Sequence, residues 1–340
     1  MTSIMRQEIN QIPAVASDLL VKSQGAIEAA GAALRERDPA VVVTIARGSS
    51  DHAAHFLKYA IELELGIPVA SIGPSLSSIY DAPLRLERAA AIAVSQSGAS
   101  PDIVSLARSA KAGGALTIAL ANTVPSPLAD AATMAIDIQA GPEIAVAATK
   151  SFVNSIVTGL AILAAWKKDD GLQKAVSDLP QYFEKALSLD WSQLVAPLAT
   201  CDSLYMLGRG PSLAIASEAA LKCKETCELH AEAYSSAEVL HGPVSLVAAD
   251  FPIIAFAARD KAEASVAETA SKLVDKNAAI YLTSSLGHGP KSLPVVETGH
   301  PLTDALCLII PYYGMVETLS LRRGFNPDKP AALKKVTETR

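Results

Sequence analysis

Aromatic residues, cysteines and clusters of basic residues are scarce in this chain. Only 5% of the 340 residues are aromatic and 19% are charged, whereas 50% are hydrophobic. This aliphatic content is sufficient for buried cores and excludes an intrinsically disordered chain. The formal net charge is −6, and there is no block of lysine or arginine, which argues against a nucleic acid or an anionic membrane as the partner. We therefore expect a small-molecule partner.

The sequence also lacks the patterns of a disulfide framework, a metal site and a membrane segment. Cys223 and Cys227 stand four residues apart in a helical pattern, and no His/Cys cluster has ligand spacing, so we expect reduced thiols, no metal and no cofactor. The first residues lack the apolar region of a signal peptide. The most apolar stretch, residues 153–166, is interrupted by polar side chains and is too short to span a bilayer. These features predict a cytoplasmic protein.

An internal repeat organises the chain. Arg209 follows Arg47 by 162 residues, and three apolar runs of the first half recur in the second half at the same offset. A repeat of three runs in register indicates a duplicated unit. The paired runs are Val41–Ser50 with Ser203–Ser212, Ala89–Gly98 with Phe251–Asp260, and Gly114–Thr123 with Lys276–Ser285.

Each apolar run has the length of a strand and is followed by a helical pattern, as in residues 51–65 and 102–112. Alternation of strands and helices is typical of parallel βαβ units with helices on both faces. The fold class is therefore α/β, with two tandem doubly wound parallel-sheet domains related by duplication. The predicted limits are residues 1–35 for an amino-terminal helical segment (one helix over 5–37), 36–167 and 191–330 for the domains, 168–190 for a connecting segment, and 331–340 for a tail.

The most informative loop, which we call the serine loop, comprises residues 94–100 and joins a buried strand to a helix. Ser95, Ser97 and Ser100 surround Gln96 and Gly98 there. Hydroxyls, the backbone N–H groups of a glycine turn and a helix start together form an anion site without lysine. Alternatively, the serines serve only the turn and the helix cap, with Ser100 as the capping residue.

The repeat helps to choose between these alternatives. At the offset of 162 residues, the second half has Ala257, Ala258 and Arg259 where the first half has the serine loop. A requirement for capping would apply to both halves, so the asymmetry favours a ligand. A second loop after a strand end, residues 46–50, which we call the arginine loop, adds the hydroxyls of Ser49 and Ser50.

The second half carries acidic and basic residues at helical spacing. Glu218, Lys222 and Glu225 are four and three residues apart and share one stripe of a helix. A carboxylate on a rigid helix can move a proton between adjacent carbons, and a neighbouring ammonium can stabilise the developing charge. His241 lies in a Leu-His-Gly-Pro loop and can titrate near neutrality. The alternatives are a solvated ion-pair face for the stripe and a structural role for His241.

Together these motifs resemble the sugar isomerase (SIS) domain family, and within it the isomerase half of glucosamine-6-phosphate synthase. The resemblance implies a hexose or hexosamine 6-phosphate as ligand, a proton shuttle between C1 and C2 by Glu225 beside Lys222, and ring opening by His241 reaching in from the partner of a homodimer. It also implies that Lys335 meets the open-chain sugar carbonyl. The motifs are Ser95–Gly98, Ala140–Phe152, Leu207–Gly210, Glu218–Glu225, His230–Tyr234, His241–Pro243 and Lys335. The implied phosphate and sugar contacts are Ser49, Ser50, Ser95, Gln96, Ser97 and Ser100, with the backbone of Val146 to Ala148 along the hexose.

The sequence departs from the family pattern in several places. Arg47 stands where the family usually has cysteine, and Ala99 and Ala148 replace glutamate and serine. The tail is one residue shorter after Lys335. The first cysteine is Cys201, so no glutaminase domain is expected, and the resemblance then favours a glucosamine-6-phosphate deaminase. The alternatives are a deaminase for galactosamine 6-phosphate or a fructosamine-type 6-phosphate, and a sugar-phosphate sensor without catalysis.

Overall fold

The computed structural model describes residues 2–333 and residue 335. The chain begins with three helices, α1 (Ile4–Asn10), α2 (Ile12–Lys22) and α3 (Gln24–Arg37), so the prediction of one helix over residues 5–37 is wrong. Pro13 lies in the first turn of α2 and has no N–H with which to continue α1. Ser23 separates α2 from α3, and its hydroxyl donates a hydrogen bond to the carbonyl of Asp137 (2.7 Å).

Contacts divide the chain into two compact units. We call the unit formed by residues 11–143, 150–180 and the end of the chain from Lys335 the amino-half unit, and the unit formed by residues 1–10, 144–149 and 181–334 the carboxy-half unit. The domain limits predicted from the sequence differ from this division in the short segments, and they stay predictions.

The amino-half unit contains a five-stranded parallel sheet in the order β2-β1-β3-β4-β5. The central strand β3 is buried along its whole length, and its alanines 89, 91 and 93 pack against the helix that follows it. Both faces carry helices, as a parallel sheet requires. The strands are β1 (Val41–Ile45), β2 (Val69–Ser71), β3 (Ala89–Ser95), β4 (Leu116–Ala121) and β5 (Met134–Asp137). The helices are α4 (Ser49–Leu65), α5 (Ser75–Ser78), α6 (Pro101–Ala112), α7 (Pro127–Ala131), α8 (Lys150–Lys167) and α9 (Asp170–Ser177), and α10 (Leu179–Leu187) leads into the other unit.

The carboxy-half unit contains a second five-stranded parallel sheet, in the order β10-β9-β8-β6-β7. Its strands are β6 (Ser203–Gly208), β7 (His230–Ser235), β8 (Pro252–Ala255), β9 (Ala279–Leu282) and β10 (Lys291–Ser292). Its helices are α11 (Val195–Leu198), α12 (Pro211–Cys227), α13 (Glu263–Val274), α14 (Pro301–Cys307) and α15 (Ile309–Arg322), with 3-10 turns at Ser192–Leu194, Glu238–Leu240 and Pro243–Leu246.

The two sheets have the same strand order. When the second sheet is read as β7-β6-β8-β9-β10, each strand takes the place of its counterpart in β2-β1-β3-β4-β5. The strands β1, β3 and β4 correspond to β6, β8 and β9, as the offset of 162 residues predicts. The predicted fold class, two duplicated doubly wound parallel sheets, is therefore confirmed.

One helical stretch, Pro301–Arg322, is long and apolar enough to cross a membrane by length and composition. However, 89% of its most apolar window is buried inside the structure. Burial of this kind is typical of a core helix, and an apolar helix of a folded core passes the same length test as a membrane span.

Candidate active site

The serine loop follows β3 directly and leads into α6. Ser95, the last residue of β3, is buried, and its Oγ accepts a hydrogen bond from the N–H of Gly98 (3.1 Å). The Oγ of Ser97 accepts one from the N–H of Ala99 (3.2 Å). A hydroxyl that accepts a hydrogen bond still has its own hydrogen to donate. Both serines therefore hold the turn and remain able to donate to an anion, so the two functions considered from the sequence are compatible.

Gly98 gives the serine loop its sharp turn. Its φ of +63° lies in the left-handed region, and an added Cβ would overlap the side chain of Ser126. The carbonyl of Gly98 also accepts a hydrogen bond from the N–H of Leu128 (2.9 Å). No other residue type fits this position without a local shift, so the loop is rigidly formed.

Ser100 precedes α6 in the position of a helix cap, but its side chain makes no capping hydrogen bond. The prediction that Ser100 caps this helix is therefore wrong. The side chain of Asp102, in the first turn, supplies the negative charge that favours this helix end. In contrast, Ser126 caps α7 by accepting a hydrogen bond from the N–H of Ala129 (3.3 Å). The Ser100 hydroxyl is thus not used in capping the helix, which is compatible with ligand binding.

The arginine loop leaves the sheet beside the serine loop. Strand β1 pairs with β3 in parallel, with Ile45 opposite Ala93, so the loops after both strands lie at the same edge. The arginine loop turns at Gly48, where φ is +54°, and its two serines begin α4. The structure thus brings the predicted phosphate ligands to one edge of one sheet: Ser49, Ser50, Ser95, Gln96, Ser97 and Ser100. Their binding roles stay predictions.

An ion pair connects the two loops, and sequence reasoning missed it. The guanidinium of Arg47 pairs with the carboxylate of Asp102. The Asp102 side chain is fully buried, whereas that of Arg47 is 45% exposed. From the sequence, Arg47 was only a departure from the family pattern and Asp102 only a favourable charge at a helix start. The signal available was their position in the two loops that follow neighbouring strands.

Helix α12 of the carboxy-half unit carries the predicted acid–base stripe. The Nζ atom of Lys222 lies 3.3 Å from Oε1 of Glu218 and forms a short ion pair with Oε2 of Glu225. The side chains of Glu218 and Lys222 are fully buried, whereas that of Glu225 is 21% exposed. The alternative of a solvated ion-pair face is therefore wrong for Lys222. Glu225 is the member of this group that is open to solvent and able to meet a ligand.

The environment of Lys222 keeps its ammonium charged. Burial lowers the pKa of Lys222, but the carboxylates of Glu218 and Glu225 outweigh this effect, and the net pKa is raised above its ordinary value. The buried hydroxyl of Tyr313 donates a hydrogen bond to Oε1 of Glu218 (3.1 Å). Tyr313 was not identified from the sequence, because its helix, α15, shows only apolar periodicity.

The predicted tail lysine is held by a buried carboxylate. The Nζ atom of Lys335 lies 3.3 Å from Oε2 of Glu143, whose side chain is fully buried. Glu143 also accepts hydrogen bonds from the N–H (3.1 Å) and the hydroxyl (2.6 Å) of Ser151, at the start of α8. Sequence reasoning did not single out Glu143, although it is the one charged residue among the small and apolar residues 140–149.

The other predicted site residues lie in the carboxy-half unit. His241 is exposed and follows the 3-10 turn Glu238–Leu240, and its N–H donates to the carbonyl of Glu238 (2.9 Å). Val146 and Ala148 are half-buried, and the N–H of Val146 donates to the carbonyl of Asp328 (3.1 Å). The roles of these residues toward a sugar stay predictions.

Comparison with known proteins agrees with this architecture. The model of the SIS domain family matches residues 37–165 and 197–288, about two thirds of the chain. The isomerizing glutamine–fructose-6-phosphate aminotransferase of Symbiobacterium thermophilum is 32% identical over 318 residues, which cover 86% of this chain and 51% of that protein. The chain spans about half the length of the curated relatives it matches.

Two solved structures extend the comparison over nearly the whole chain. A protein of Silicibacter pomeroyi DSS-3, provisionally named a phosphosugar isomerase, is 51% identical, with a TM-score of 0.93 over 96% of this chain and 100% of the other. The C-terminal domain of glucosamine-fructose-6-phosphate aminotransferase from Francisella tularensis is 25% identical, with a TM-score of 0.86 over 97% and 99%.

The fold and the loops define an α/β protein of the phosphosugar isomerase class, with two duplicated parallel sheets and a hydroxyl-rich loop at the carboxyl edge of the first. More particularly, the chain belongs to the SIS domain family, and its homologues include the SIS portion of the glutamine–fructose-6-phosphate aminotransferases. The resemblance seen in the sequence is thus confirmed at the level of the family.

Proposed function

We propose that this protein is an isomerising deaminase of amino-sugar phosphates, which converts glucosamine 6-phosphate and water into fructose 6-phosphate and ammonia. The observation that carries the proposal is the group on α12, in which a buried ammonium stands between a buried carboxylate and a partly exposed one. Burying such charges has a large desolvation cost, so their retention favours a chemical role over a structural one.

The reaction needs a base at C2 of the open-chain sugar, and Glu225 fits that role. The carboxylate removes the C2 proton, and the electron pair moves to give an enol at C1 with the amine still on C2. The ammonium of Lys222, held charged by two carboxylates, stabilises the negative charge that develops on O1. Glu225 then returns the proton to C1, which yields the 2-imino ketose. Water adds to this imine and ammonia leaves.

The serine loop and the arginine loop supply the binding part of the proposal. Their hydroxyls and backbone N–H groups suit a phosphate ester, which accepts several hydrogen bonds and favours a helix start. Relatives named for fructose 6-phosphate support a hexose 6-phosphate as the ligand. We propose the hydrolytic direction because it needs only water as the second reactant, whereas synthesis needs a source of ammonia.

The alternatives concern the identity of the sugar and the presence of catalysis. Arg47 and Ala148 depart from the family pattern, so galactosamine 6-phosphate and a fructosamine-type 6-phosphate are tested beside glucosamine 6-phosphate. A sensor would need the phosphate site but no proton shuttle, and the buried ion pairs of Lys222 argue against it.

The experiment that tests the proposal incubates the purified protein with each amino-sugar phosphate and measures ammonia and the ketose 6-phosphate together. We expect both products in equal amounts from glucosamine 6-phosphate. Release from only one of the other sugars would transfer the proposal to that substrate. Binding of all three sugars without release would refute catalysis and establish the sensor. A control without protein measures spontaneous loss of ammonia.

We further propose that the enzyme acts in the cytoplasm as a homodimer in which each His241 serves the site of the partner subunit. Mixing inactive Glu225→Gln with inactive His241→Ala subunits tests this arrangement. In a two-fold symmetric dimer, half of the mixed dimers' sites are then intact, so random exchange restores about a quarter of the wild-type turnover. Failure of the mixture to recover activity, although the subunits exchange, would contradict the proposal.

A further inference from the structure

The ion pair between Arg47 and Asp102 stands at the proposed phosphate site. Arg47 lies two residues before Ser49, and Asp102 lies two residues after Ser100, so the pair joins the two loops at their ends. Two residues span at most about 7.6 Å between Cα atoms. A phosphate that binds at Ser100 is therefore close to the buried carboxylate of Asp102.

This arrangement raises an electrostatic problem for a phosphate ligand. The start of α6 is the positive end of a helix dipole, and the carboxylate of Asp102, in its first turn, already uses that positive potential. The serine loop itself contains no cation. An incoming phosphate dianion would therefore meet a buried negative charge at short range, where a low effective dielectric constant makes repulsion strong.

The pair occurs in the half that has the hydroxyl-rich loop and is absent from the corresponding positions of the other half. The counterpart of Asp102 is Ala264, and the counterpart of Arg47 is Arg209, which donates a hydrogen bond to the hydroxyl of Ser265 (2.8 Å). The arginine was thus kept in both halves, whereas its carboxylate partner stands only beside the serine loop. A purely structural ion pair of the fold would be expected in both halves.

We propose that Arg47 is the charge partner that makes the hydroxyl site able to accept a phosphate dianion, by neutralising the buried carboxylate of Asp102. Arg47 is then a positioning residue and Asp102 is its anchor. Because Asp102 is fully buried and Arg47 is 45% exposed, the carboxylate fixes the guanidinium at the loop while part of the guanidinium stays accessible. This inference rests on the proposed phosphate site but not on the deaminase reaction.

The test compares Arg47→Gln, Asp102→Asn and the double variant by calorimetric titration with inorganic phosphate at about pH 8, where the anion is mostly doubly charged. We expect Arg47→Gln to weaken phosphate binding at least about tenfold, because one unit charge within about 8 Å is then uncompensated. Asp102→Asn should bind at least as tightly as the wild type. The double variant should recover to within about threefold of the wild type, since it removes the repulsion along with its partner.

Two further variants keep the inference testable if Asp102→Asn does not fold. Arg47→Lys retains the charge and should recover most of the phosphate affinity, whereas Arg209→Gln, the counterpart in the other half, should leave it unchanged. In turnover assays Arg47→Gln should raise KM and leave kcat unaltered, because the charge acts equally on bound substrate and transition state.

The possible outcomes separate this inference from the proposed function. If the wild type binds neither inorganic phosphate nor a hexose 6-phosphate, the proposed phosphate site is wrong. If the wild type binds phosphate and Arg47→Gln binds it equally well, the inference fails while the proposed function stands. A double variant as weak as Arg47→Gln would also overturn charge compensation.

Discussion

Replacement of Lys222 by methionine probes the buried ionic group on α12. The substitution keeps the length of the side chain but removes the ammonium that pairs with Glu218 and Glu225. In the variant, the fully buried carboxylate of Glu218 keeps the hydrogen bond from Tyr313 but loses its counter-charge. A buried carboxylate in this condition destabilises the folded state strongly.

The expected magnitude follows from this burial. Removing one partner of a buried ion pair costs about 3–5 kcal/mol of unfolding free energy, whereas removing both charges is close to neutral. We therefore expect Lys222→Met to lose about 3–5 kcal/mol, and the double variant with Glu218→Gln to lie within about 1 kcal/mol of the wild type. The matched control is Lys224→Met on the same helix, because Lys224 is exposed, and its cost should stay below about 0.5 kcal/mol.

The assay is urea unfolding of the wild type and the variants at several pH values. Because the pKa of Lys222 is raised above its ordinary value of 10.5 in the folded protein, its stabilisation is fully present below that value and is lost as the pH rises through the raised pKa. The difference between wild type and Lys222→Met should be constant at lower pH and narrow above about pH 10.5. Equal stabilities of Lys222→Met and Lys224→Met would refute the reasoning.

Three other predictions concern the serine loop, the tail and the thiols. Gly98→Ala should cost at least about 1–2 kcal/mol more than Gly48→Ala in urea unfolding, because both have positive φ but only the Cβ at Gly98 meets a neighbour, Ser126; equal costs would contradict this. Glu143→Gln should speed tryptic cleavage at Lys335 about tenfold, since a charge-assisted contact is lost; unchanged cleavage would count against the contact. Cys201 is half-buried whereas the other three cysteines are buried, and burial raises the pKa of all four thiols, one of them to about 11, so a thiol reagent at neutral pH should label Cys201 first and all four only after unfolding; rapid labelling of all four in the native protein would contradict it.

The fold could be predicted because its signals are local or repeated. Apolar runs of strand length, followed by helical patterns, indicate parallel βαβ units, and the constant offset between Arg47 and Arg209 shows the duplication. The break at Ser23 could not be predicted, because it depends on a hydrogen bond to Asp137 that the folded chain creates. Pro13, in contrast, was a readable signal for the end of α1.

The candidate site was predictable only in part. Residues that share a loop or a helix face were found, since the spacing of Glu218, Lys222 and Glu225 already places them together. The pairs Arg47–Asp102 and Glu143–Lys335 join residues far apart in the sequence, and one sequence contains no sign of such pairing. The exposed fraction of Glu225, which distinguishes it from Glu218, likewise depends on packing that periodicity does not show.

The central claim is that Glu225 removes the C2 proton of a bound amino-sugar phosphate. The most direct measurement follows glucosamine 6-phosphate labelled with deuterium at C2 in the wild type and in Glu225→Gln, with inorganic phosphate titrations to confirm that the variant still binds. We predict that the wild type removes the label from C2 as fructose 6-phosphate forms. Glu225→Gln should do so about 10²–10⁴-fold more slowly with unaltered phosphate affinity. Loss of the label at the wild-type rate in Glu225→Gln would contradict the claim.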